Sequence, residues 1–175
     1  MVRLLLEIGA RTDEITYEGK WPLMEAAEAG HEDVVRVLLR AGAALDLSYA
    51  GGPTALCVAC WEGHGRCAEM LARAKADVAL AASTEHGLSP LHACCFNGYL
   101  PLLRMLLRLC GERALGALDS VLDDGSTPLY VACERGHLEG APARRRASLR
   151  WQPAPHICPR LPKMATSAAH LPAPP

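Results

Sequence analysis

The sequence predicts an all-α fold, a solenoid of stacked helix-turn-helix units with a disordered C-terminal tail. Three observations carry that expectation. One short pattern recurs four times at a near-constant spacing. Apolar residues at helical intervals fill the stretches between recurrences. The chain is half apolar but only 5% aromatic, so Ala, Leu and Val must build its core, which suits closely packed small helices better than a β-sandwich.

The recurring segments are "GKWPLMEAAEAGH" from Gly19, "GPTALCVACWEGH" from Gly52, "GLSPLHACCFNGY" from Gly87 and "GSTPLYVACERGH" from Gly125, at steps of 33, 35 and 38 residues. The N-terminal "VRLLLEIGA" matches "VRVLLRAGA" one period later, so the chain opens inside a unit. Residues 1–18 then supply a second helix and connection, 19–51, 52–86 and 87–124 full units, and 125–140 a partial one.

Within each unit, small residues mark where neighbouring first helices approach: Ala26/Ala27, Ala59/Cys60, Cys94/Cys95 and Ala132/Cys133. Pro22, Pro90 and Pro128 stand in the first turn, where a missing N–H costs nothing. Thr54, Ser89 and Thr127 precede that turn and can accept amide hydrogen bonds as caps, whereas Trp21 cannot. Gly30, Gly63, Gly98 and Gly136 close the first helix, where a left-handed residue is cheap only for glycine. Val34, Val35, Leu38 and Leu39 give the second helix one buried face. A single unit cannot bury its own apolar face, so stacking creates the core.

The Gly-x-Thr-Pro-Leu-His-x-Ala-like start, the Gly-His pair and the leucine-rich second helix ending in Gly-Ala resemble the ankyrin-repeat family over about residues 2–138. The resemblance implies a concave surface of first helices and connections that binds proteins, with no catalysis of its own. "TPLYVAC" and "SPLHACC" are also similar to arrays that select substrates for a cullin-type ubiquitin ligase, although no recruiting box is visible in this sequence. An ankyrin region of a larger enzyme or channel is a further alternative.

After "CERGH" the pattern breaks. Residues 141–175 hold eight of the 13 prolines and six basic residues without an acid, and read as a disordered Pro/Arg-rich tail. The abrupt change suggests a shortened product of a longer ankyrin protein. A genuine tail would instead present Ser148 behind three arginines, a pattern suited to basic-directed kinases but frequent by chance. The incomplete units at both ends are expected to expose Leu4, Leu5 and Leu6 at one end and Leu129, Val131 and Leu138 at the other, favouring self-association and marginal stability.

The remaining body, residues 1–140, carries 12 basic and 19 acidic residues, a net of −7, which argues against a nucleic-acid surface. Met1 is followed by Arg3, a short apolar run and Glu7, unlike a secretory leader, and no window is apolar enough to span a bilayer. An intracellular, cytoplasmic location with reduced thiols is expected, with the nucleus left open.

Cys57, Cys60 and His64 have the spacing of half a zinc site, which Cys94, Cys95 or His92 could complete. The repeat register favours a structural role: Cys60, Cys95 and Cys133 share one small buried position, Cys57 stands where His92 and Tyr130 stand, and His64 is equivalent to His31 and His137, which are expected to bond backbone groups of the turns. No metal, cofactor or catalytic group is therefore assigned. Residues just before each closing glycine should point outward. Trp61 and Phe96 share that register in adjacent units and form the expected binding anchors. Glu62, Asn97 and Arg135 flank them, Tyr17 and Tyr49 extend the surface, and Glu28, Glu62 and Glu134 give an acidic rim for a partner with a basic and apolar face.

Overall fold

The computed structural model describes residues 1–48, 52–80 and 88–138. These residues form α1 (Val2–Glu7), α2 (Pro22–Glu28), α3 (Glu32–Arg40), α4 (Ala55–Glu62), α5 (Gly65–Arg73), α6 (Pro90–Asn97), α7 (Leu100–Cys110), α8 (Glu112–Ala117) and α9 (Pro128–Glu134), with no strand among them. The tail from residue 141 and Ser148 lie outside the described residues.

Two layers of helices make the array. The first helices α2, α4, α6 and α9 pack side by side, and so do the second helices α1, α3, α5 and α7. Each of α2, α4 and α6 also packs against its own second helix. This explains an imbalance in their sequences. Helix α4 has neighbours on both flanks and behind, so Ala55 to Cys60 are all buried; in α3 only Val35 and Leu38 are. The all-round apolar helix is the internal one, and the amphipathic helix lies at the surface.

Caps behave as the residue types require. Thr54, Ser89 and Thr127 each accept from the amide three residues on, at 3.2, 3.4 and 3.3 Å. Trp21 makes no such bond and is buried in the core, where its indole N–H has no partner among the described residues. Aspartates tie the connections together: Asp13 accepts from the Ala44 amide at 3.0 Å and Asp46 from the Asp77 amide at 2.8 Å.

The 38-residue step has a structural cause. After α7 the chain adds α8, whose Ala114 and Ala117 are fully buried, and Arg113 reaches back to donate to the Lys75 carbonyl at 3.3 Å. Six residues are too few to show a helical period, so α8 leaves no mark in the repeat pattern.

Two expectations about the last unit need correction. Val131 is buried, not exposed, because this face of α9 packs on α6. Cys133 is exposed, unlike Cys60 and Cys95; among the described residues no second helix follows α9. Leu129 shows the same effect: it is 73% exposed, whereas its equivalents Leu23, Leu56 and Leu91 are completely buried. Leu4, Leu5 and Leu138 are exposed as anticipated, and Leu6 is half-buried.

Candidate interaction surface

The residues at the helix-closing register divide into two groups. Trp61 and Phe96 come from adjacent first helices, and their rings stack with centroids 5.0 Å apart at 31°. The next unit adds Arg135, whose guanidinium carbon lies 3.6 Å from the Phe96 centroid. Three consecutive units thus contribute to one column of an indole, a benzyl ring and a guanidinium. Both rings are half-buried, while Glu62, Glu134 and Arg135 are exposed. Tyr17, in the connection before α2, is 94% exposed; Tyr49 lies outside the described residues.

Glu28 and Asn97 turn inward instead. Glu28 accepts from Lys20 Nζ at 2.7 Å, and Lys20 also pairs with Glu25 at 3.2 Å. Burial pulls the Lys20 pKa down, but bonds and charge from the two glutamates outweigh it and leave the value raised. The Glu28 carboxylate is therefore largely committed to a half-buried cation. Lys20 was missed from sequence because its two partners lie a turn and two turns along the following helix.

Asn97 does a job that histidine does elsewhere. His64 Nε2 donates to the Glu28 carbonyl at 3.0 Å, and His137 Nε2 to the Phe96 carbonyl at 3.2 Å. In both cases the ring reaches back to the last turn of the preceding first helix, not to its own turn. The third unit has Tyr99 at this register. There Asn97 Nδ2 donates to the Trp61 carbonyl at 3.1 Å, the group equivalent to Glu28 and Phe96 carbonyls, and to Ala93 at 3.2 Å. The Tyr in place of His was visible in the repeat alignment and could have signalled this exchange.

The half-zinc spacing resolves into bonds that run in opposite directions along the array. His64 faces the preceding unit, while the Cys57 thiol donates forward to the Leu88 carbonyl at 3.3 Å. His92, one unit on, makes the equivalent forward bond to the Ser126 carbonyl at 3.2 Å and accepts from Ser89 Oγ at 2.8 Å. Among the described residues no group of three His, Cys, Asp or Glu side chains could hold a metal ion. Burial, reinforced by Cys94, pushes the Cys57 thiol up to about 12 and Cys95 to about 11; Cys60, burial again the main cause, lies well above its ordinary value. These thiols stay protonated at neutral pH and serve as small apolar residues.

The geometry defines a class first: a stacked helical-repeat protein whose distinctive side chains gather on one edge of its first helices. Comparison with known proteins then gives the family. The sequence matches the family described as ankyrin repeats (3 copies) over residues 1–82 and 43–115. It is 35% identical over 142 residues to "Ankyrin repeat and KH domain-containing protein mask-1" of Caenorhabditis elegans, covering 79% of this chain and 5% of that protein. To human "Ankyrin repeat and SOCS box protein 16" it is 38% identical over 117 residues, covering 66% of this chain and 24% of that protein. To "Probable E3 ubiquitin-protein ligase XBOS32" of Oryza sativa subsp. japonica it is 27% identical over 156 residues, covering 73% and 31%. The chain therefore spans less than a third of each of these relatives. The chain belongs to the ankyrin-repeat family, whose arrays are in general non-catalytic protein-interaction modules. No helix among the described residues is long and apolar enough to cross a membrane.

Proposed function

We propose that this chain is a non-catalytic interaction array that docks a partner protein on its first-helix surface, centred on Trp61 and Phe96. The observation that carries the reading is their stacking at 5.0 Å across two units, with the exposed Glu62 and Glu134 in the closing turns of α4 and α9. Nothing in the stacking of repeats demands aromatic residues here; the first full unit has Glu28 and the last Glu134 at this register. Large aromatics bordered by charge are typical interface anchors. The acidic body selects a partner with a basic and apolar face through long-range attraction. Tyr17, exposed in the connection before α2, is a further candidate contact, whereas Glu28 and Asn97 hold bonds within the array.

A substrate-recognition array for a cullin-type ubiquitin ligase is the second reading. It draws on relatives whose names include a SOCS box or a ubiquitin-protein ligase.

The test compares partner binding by the full chain, by Trp61→Ala/Phe96→Leu, and by Arg104→Ala on the exposed side of α7. The aromatic double variant is expected to lose at least tenfold in affinity while its circular dichroism is unchanged, and Arg104→Ala to bind normally. Equal binding by all three would reject this surface.

A further inference from the structure

We propose that the Phe96 ring is an arginine seat, occupied by Arg135 in the unbound chain and taken over by an arginine of the docking partner. This rests on the interaction reading above and adds the partner's chemistry to it. The guanidinium carbon of Arg135 lies 3.6 Å from the ring centroid, so the face already accepts a planar cation in close stacking. The Arg135 side chain nevertheless belongs to an exposed residue at the C-cap of α9, not to a buried network. A solvent-exposed cation–π contact is weak, equivalent to roughly a two- to fivefold change in a binding constant. Arg135 is thus displaceable.

An incoming arginine would gain more than Arg135 does. Glu134 and Glu62 are exposed carboxylates in the sequence neighbours of Arg135 and Trp61, and a guanidinium fork is matched to carboxylates while its face lies on a ring. The Trp61 indole backs the Phe96 ring and holds its orientation. Residues 1–140 carry a net charge of −7, which favours basic partners in general. A lysine ammonium carries the same charge but lacks the planar face, so the seat distinguishes the two cations.

Three Gly/Ser peptides of about 15 residues test the seat, one with three arginines, one with three lysines and one with three citrullines. Each is titrated calorimetrically into the full chain, Arg135→Lys and Phe96→Leu. The arginine peptide is expected to bind at least threefold more tightly than the lysine peptide, and the citrulline peptide least. Arg135→Lys keeps the local charge but vacates the stack, and is expected to tighten the arginine peptide about two- to fivefold without a matching gain for lysine. Phe96→Leu is expected to erase the arginine preference with helicity intact. Equal binding of arginine and lysine peptides, or a preference that survives Phe96→Leu, would overturn the seat. If the seat fails but Trp61→Ala/Phe96→Leu still loses the protein partner, the interaction surface stands without it. If partner binding ignores that double variant, the interaction reading itself falls.

Discussion

Replacing Gly98 by alanine probes how closely successive units approach. Gly98 has φ +71° and Gly136 φ +69°, so an alanine at either pays the same left-handed backbone penalty of about 1–2 kcal/mol. Their surroundings differ. A methyl at Gly98 would lie 2.8 Å from the Cε1 and Nδ1 atoms of His137, whereas at Gly136 nothing lies within 4 Å. The His137 ring cannot move freely, because its Nε2 donates to the Phe96 carbonyl at 3.2 Å. Displacing it sacrifices that bond, about 1 kcal/mol. Gly98→Ala is therefore expected to cost about 2–3 kcal/mol and Gly136→Ala about 1–2 kcal/mol. Gly42→Ala, with φ +80° and open surroundings, is a second reference that should match Gly136→Ala. Urea unfolding followed by circular dichroism reads the difference directly. In Gly98→Ala/His137→Ala the two losses should combine less than additively, because the second change removes the obstacle. Equal losses at Gly98, Gly136 and Gly42 would refute the claim that the ring of one unit packs on the glycine of the unit before it.

Lys75 is the only described non-glycine residue with positive φ, +73°, and stands where Gly42 stands one unit earlier; Lys75→Gly is expected to stabilise by about 0.5–1 kcal/mol in the same unfolding assay. Burial lowers the His92 pKa below its ordinary 6.5, against smaller opposing effects of the Ser126 carbonyl and Asp124. The unfolded chain then takes up a proton that the folded one resists, so stability is flat above about pH 6.5 and falls as pH drops from there toward the folded pKa. His92→Cys, which copies Cys57, is expected to flatten this slope in unfolding curves between about pH 7.5 and 5.5. Leu91→Ala empties a fully buried position and is expected to cost about 2–5 kcal/mol, whereas Leu129→Ala, at 73% exposure, should change stability by less than about 0.5 kcal/mol by thermal melting.

Much of the fold was legible because local chemistry and stacking agree. Pro90 begins α6, Ser89 caps it, Gly98 closes it, and each of these depends only on neighbours in sequence. Trp21 was readable as a failed cap but not as a core residue, since its burial depends on what packs over α2. Helix α8 was hidden by its length. Side-chain direction at the surface was harder to read. Trp61 and Phe96 were found by shared register, but that register alone cannot reveal that Glu28 answers to Lys20 or that Asn97 reaches across to Trp61. Those are partnerships between connections or units, set by three-dimensional placement. Arg135 is readable from register as an outward residue, but its stacking on Phe96 follows only once α6 and α9 are packed side by side.

Partner binding is proposed for the first-helix edge around Trp61, Phe96 and Arg135. Hydrogen–deuterium exchange of the full chain, with and without a bound protein partner, tests it most directly. New protection is expected in the C-terminal turns of α4, α6 and α9, with α3, α5 and α7 unchanged. Protection confined to α3, α5 and α7 would place the partner on the opposite layer and rule out the first-helix edge.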